Sequence, residues 1–129
     1  MKILFDTNIL VLISFGTATE EMLIFFNDAE NERYYSSASM WELVIKTMVN
    51  KIELGEPIEE FEGKLATSGV RKIDIATRHI YGVQRLKDLH RDPFDRIMIS
   101  QAIAEDMRFL TSDDRLRDYS ARVHYLPRN

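Results

Sequence analysis

"DPFDRIMISQAIAEDMRFLTSDD" (residues 92–114) runs a capped helix directly into a strand, and both ends of that unit carry acids. Asp92 reads as an N-cap and Pro93 as the first helical residue, so Asp95 falls in the first turn, where the helix dipole favours a carboxylate. The helix is expected to reach about Glu105. "RFLTS" (108–112) then reads as a strand, closed by Asp113. The same design is visible earlier. "KILF" (2–5) is a short apolar run ending at Asp6, read as a buried strand that opens onto a loop or a helix. "RYYSS" (33–37) reads as a strand feeding a helix that carries Glu42 in its first turn.

Between these units the periodicity predicts further elements. Met22, Phe25, Phe26 and Ala29 follow helical spacing over 20–31. Trp41, Val44, Ile45, Met48 and Ile52 form one apolar stripe of a helix that "ELGEP" (53–57) terminates, which places Trp41 in the core rather than against a base. A helix over about 58–67 stops near Gly69, and "RKIDI" (71–75) reads as a strand before a helix over 76–88. A helical turn at 114–119 and a last strand, "RVHYL" (122–126), complete the chain. Strands alternating with helices define the α/β class, with a parallel sheet covered on both faces.

Composition narrows the function classes. A chain of 129 residues is expected to be one domain, 1–129, burying roughly two-thirds of its unfolded surface. With 45% hydrophobic and 29% charged residues, it reads as neither disordered nor membrane-spanning. The apolar run "ILVLISF" (9–15) falls short of the ~20 residues of a membrane helix and has no signal-peptide flanks. A cytoplasmic location is expected. The absence of cysteine excludes disulfides and thiolate metal sites. A net charge of −4 argues against a nucleic-acid coat protein, although basic residues concentrate in the second half.

In parallel sheets, ligands bind beyond the carboxyl ends of the strands. That rule brings Asp6, Glu42, Asp95 and Asp113 to one rim. Each has a structural alternative. Ser39-x-x-Glu42 matches a capping box, Glu42 can pair with Lys46, and Asp113 and Asp114 can cap the short helix after them. An aspartate directly after a buried strand is harder to explain, because desolvation penalises its charge. Four acids together repel, and a divalent cation with a taste for hard oxygen ligands, Mg²⁺ or Mn²⁺, offsets them. Metal-assisted phosphodiester hydrolysis is the chemistry that such a site serves best.

Thr7, Asn8, Ser37, Ser39, Thr111 and Ser112 flank these acids and are suited either to orienting them or to turn chemistry. Arg96 reads as a brace for Asp92 or Asp95. Other mechanisms lack parts. His79, His90 and His124 show no zinc spacing, His90 reading as a loop residue, and no GxSxG, Walker or GxGxxG motif occurs.

As a set, "LFDTNIL" (4–10), "SSASMWELVIK" (36–46), "DPFDRIMISQA" (92–102) and "FLTSDDRL" (109–116) resemble the successive motifs of PIN-domain proteins, in particular the VapC-type toxins of toxin–antitoxin pairs. The resemblance implies a PIN-like three-layer α/β/α sandwich with a mostly parallel central sheet, and a Mg²⁺- or Mn²⁺-dependent endoribonuclease. It also implies Asp6, Glu42, Asp95 and Asp113 as catalytic metal ligands, with Asn8 and Thr111 supporting them. Asp92 is the accompanying acid of the third motif, and Asp114 an extra acid at the rim. The implied partners are RNA, a cognate antitoxin and a second copy of the chain. Two other classes stay open: a non-catalytic PIN-like scaffold for RNA or protein, and a phosphatase, which would need a second aspartate where Asn8 stands.

Overall fold

Ile3, Leu4 and Phe5 are fully buried, and they alternate across a sheet that hides both of its faces. In the computed structural model, which describes residues 1–88 and 91–128, they belong to β1 (Lys2–Phe5), the central strand. The other strands are β2 (Glu32–Ser36), β3 (Arg71–Ile73), β4 (Arg108–Thr111) and β5 (Val123–Tyr125). Their spatial order is β3-β2-β1-β4-β5, and every pairing is parallel. Chain order reverses direction at β1, so its carboxyl end is a topological switch point.

Period-two alternation sorts the core into two layers. Ile3, Phe5 and Leu110 face α1 (Thr7–Ser14), α2 (Glu20–Asn27) and α4 (Ile58–Thr67), meeting Ile9, Leu10, Met22, Phe26, Phe61 and Leu65. Leu4 and Phe109 face the opposite way, onto Met98, Ile99 and Ala102 of α6 (Pro93–Ala104). α5 (Thr77–Val83) packs along α6, and α3 (Ser37–Met48) contributes Ala38 to this second layer and Leu43 to the first. Burying one such side chain contributes about 1.5–3 kcal/mol, so the α/β/α sandwich rests on many comparable contacts. Among the described residues no helix is long and apolar enough to cross a membrane.

Of the loop or helix expected after Asp6, a helix forms, with the run "ILVLISF" supplying the buried side of α1 and its exit. Other expectations are corrected. α2 ends at Asn27 rather than 31, because Asp28 Oδ1 accepts from the Glu30 amide and turns the chain. α5 stops at Val83, short of 88. α4 does end as expected, at a Gly69 with φ +83°, a conformation natural to glycine.

The larger correction concerns α3. Its inward face is Ala38, Ser39, Glu42 and Leu43, while Trp41 is 55% exposed and Met48 75% exposed. The apolar stripe therefore faces outward, with Trp41 packed edge-on against Phe94, and Ile52 meets the first core layer only after the helix has ended. Successive residues on a helix differ by about 100° in direction, so the start at Ser36 decides which stripe is hidden. Ser36 Oγ accepts from the Ala38 amide and caps the helix. The capping box expected between Ser39 and Glu42 is absent: Ser39 is a buried residue of the first turn, and Glu42 lies in the second.

The α5–α6 contact leaves no room at Gly82, where a Cβ would overlap Ser100 Oγ, itself bonded to the His79 carbonyl. Gly82→Ala should therefore destabilise the protein by about 1–3 kcal/mol in denaturant melts, in line with overpacking elsewhere. Combining it with Ser100→Ala should recover part of that loss.

Candidate active site

Each acid owes its place to a local structural device. Asp6 follows β1 and caps α1: Oδ1 accepts from the Thr7 amide at 2.7 Å, and its own amide bonds to the Leu110 carbonyl at 2.8 Å. Thr111, at the end of β4, donates from Oγ1 to Asp6 Oδ2 at 2.6 Å and accepts from the Asp113 amide at 3.0 Å. One hydroxyl thus ties the β1 acid to the β4 acid. Asp113 caps the short turn Asp114–Leu116. Asp92 Oδ1 accepts from the amides of Phe94 and Asp95, which fixes the first turn of α6 and with it Asp95.

Glu42 reaches the same place from the inner face of α3, where it is 4% exposed. Its Oε2 accepts from Lys46 Nζ at 2.7 Å. Beneath it, Thr7 Oγ1 and Ser39 Oγ are bonded at 2.7 Å, joining α1 to α3. Asp6, Asn8, Glu42, Asp92, Asp95 and Asp113 all line one open cleft of about 660 Å³, with Asp114 also on its wall. Thr111 supports from behind. Arg96 lies outside that lining and donates to the carbonyls of Lys87 and Val83 and to the Tyr119 hydroxyl.

His79 and His124 stand away from the cleft. His79 Nδ1 accepts from the Ala76 amide and its Nε2 lies 3.3 Å from Glu105, whereas His124 packs against Phe25. His90 lies outside the described residues.

Crowding perturbs the central pair. Burial pushes the Asp6 carboxyl well above the ordinary aspartate range; the Thr111 bond opposes this, and the charges of Glu42 and Asp113 add to it. Asp95 is raised as well, first by burial and then by Asp6, Asp92, Glu42 and Asp113. Carboxyls raised by burial and by one another in a cleft mark a candidate site, because the fold keeps these acids where water cannot stabilise their charge.

The donors suit a hard divalent cation. Among the described residues, Glu42 Oε1 and Asn8 Oδ1 are buried with no protein partner, and an unsatisfied buried oxygen is costly unless something positive meets it. Among the described residues, no three of these acids yet form a cage around a common point. Cations of the chain itself pair with these acids, Lys46 with Glu42 and Arg115 with Asp113. Lys46, Lys51, Arg115 and Arg128 also reach the cleft, and of these only Lys46 was legible, as an i,i+4 partner. Arg115 carried a faint signal in "SDDRL", two residues past a capping aspartate; Lys51 and Arg128 carried none.

A parallel α/β/α sandwich with carboxylates from four separate elements at its switch point defines a class of domain, and the family comparison agrees with it. The PIN domain model matches residues 3–122, and the chain belongs to the PIN domain family. The fold is similar to a chain in the crystal structure of VapBC2 from Rickettsia felis bound to a DNA fragment from their promoter, with a TM-score of 0.68, 20% identity and 100% of both chains covered. It is also similar to a toxin–antitoxin complex from Klebsiella pneumoniae, with a TM-score of 0.58, 18% identity, and 92% of this chain and 90% of that one covered. No curated protein matches at the level of sequence.

The raised carboxyls make a signed prediction. An acid whose pKa is higher folded than unfolded contributes stability below its unfolded value, near 4, and loses that contribution as pH rises through the folded value. In EDTA, Asp95→Asn should therefore melt above wild type at pH 8, by about 4 °C for each kcal/mol relieved, and the gap should close toward pH 4. Thermal melts across that range check it.

Proposed function

We propose that this protein is a metal-dependent endoribonuclease, the toxin of a toxin–antitoxin pair. The reading is carried by the convergence of Asp6, Glu42, Asp95 and Asp113, from four separate elements, on one cleft where Glu42 Oε1 and Asn8 Oδ1 are buried with no protein partner among the described residues. Membership of the PIN family supports a nuclease, and the likeness to toxin–antitoxin structures supports the pairing. Mg²⁺ or Mn²⁺ is the proposed ion, with the four acids as ligands and Asn8 beside them. Held there, it supplies positive charge for phosphoryl oxygens and for activating the attacking water.

The chain's own groups do the positioning. Thr111 and the Thr7 amide fix the two oxygens of Asp6, so that its carboxylate does not have to be oriented during the reaction. Asp92 anchors the helix start that holds Asp95 in the field of the dipole. Lys46 keeps Glu42 aimed into the cleft, and the cations at the rim attract a polyanion to an otherwise acidic pocket. The outward side chains of α3, Trp41 and Met48 among them, give a protein partner an apolar surface, whether antitoxin or second copy. A cytoplasmic location fits this reading.

Cleavage of a defined RNA pool by wild type and Asp6→Asn, with Mn²⁺ and with EDTA, tests the proposal. Wild type should cut only with the ion. The variant should lose more than about 100-fold, beyond what disturbing the outer shell of a metal centre usually costs. Cutting by Asp6→Asn at wild-type rate would reject the site.

A further inference from the structure

The two cations that hold acids in the cleft do so unequally. Lys46 takes only Oε2 of Glu42 and leaves Oε1 without a protein partner. Arg115 takes both oxygens of Asp113: its amide and Nε donate to Oδ1 at 3.0 and 3.1 Å, and Nη2 donates to Oδ2 at 2.8 Å. Glu42 therefore keeps an oxygen that no protein group among the described residues meets, whereas the charge of Asp113 is already paired through both of its oxygens with a guanidinium.

We propose that Arg115 is a built-in clasp on Asp113, holding this carboxylate out of the cation site until a phosphate group of the substrate draws the guanidinium away. The proposal rests on the nuclease reading and adds a coupling to it: phosphate binding and cation binding strengthen one another. Three features support it. The Arg115 side chain is 67% exposed, so it is free to swing, while that of Asp113 is 18% exposed and held by its turn. An ion pair with an exposed partner is worth only about 0–1 kcal/mol, so the clasp opens at little cost. A guanidinium also fits a phosphate with the same two-pronged geometry that it uses on a carboxylate, and Arg115 already lines the cleft.

Linkage makes the coupling measurable, since whatever phosphate does for the cation, the cation does for phosphate. Mn²⁺ is titrated calorimetrically into wild type, Arg115→Ala, Arg115→Lys and Arg117→Ala, with and without a 2′-O-methyl phosphorothioate oligoribonucleotide that resists cleavage. Arg117→Ala is the charge control, because Arg117 pairs with the adjacent Asp114.

Alone, Arg115→Ala should bind Mn²⁺ about 5-fold tighter than wild type, the lower end of ordinary coupling, with Arg115→Lys between them and Arg117→Ala near wild type. The oligonucleotide should tighten Mn²⁺ binding in wild type and do so less in Arg115→Ala. Equal Mn²⁺ affinity in wild type and Arg115→Ala overturns the clasp, as does equal tightening in Arg117→Ala. Those results would leave the nuclease reading intact. No Mn²⁺ uptake by wild type would remove that reading and the clasp with it.

Discussion

The hydrogen bond from Thr111 Oγ1 to Asp6 Oδ2 joins the ends of two strands that lie far apart in the chain. It exists because β1 and β4 run parallel with Phe5 opposite Leu110, which brings the residues just beyond them side by side. An antiparallel pairing would put the two acids at opposite ends of the sheet. Parallel pairing also demands crossovers, and those crossovers are the helices that deliver Glu42 and Asp95 to the same edge. The site is thus a by-product of how a parallel sheet is wound.

That arrangement carries a standing electrostatic cost. Asp6, Glu42 and Asp95 are all nearly buried, and their repulsion works against folding wherever no counter-charge is present. The protein distributes the load in different ways: Lys46 on one acid, Arg115 on another, and raised proton affinity on the central pair. A fold selected only for stability would put neutral side chains there, and a place where a chain keeps costly groups is where a functional site is expected.

α3 shows how the same tension hides in a pattern. Its most apolar stripe faces solvent, and its inward face spends two positions on Ser39 and Glu42. Hydrophobic spacing reports which face can be buried most favourably, whereas the cap at Ser36 and the bond between the Ser39 and Thr7 hydroxyls decide which face is. The difference is about one residue of helical rotation. The less apolar side is the one that lines the acidic cleft.

Short-range signals determined much of this protein by themselves. The apolar run closed by Asp6, the Asp92-Pro93 helix start and the strand after α6 were legible because capping and strand burial depend on neighbours in sequence. So was the set of four acids, since each stands at an element boundary where an acid is costly or conspicuous. Only the tertiary structure decided the rest: the outward turn of Trp41, the direction of Arg96, and the cationic rim of Lys51, Arg115 and Arg128. Those features depend on which surfaces meet across the sheet and on side chains long enough to choose between partners, and a linear chain carries no record of that choice.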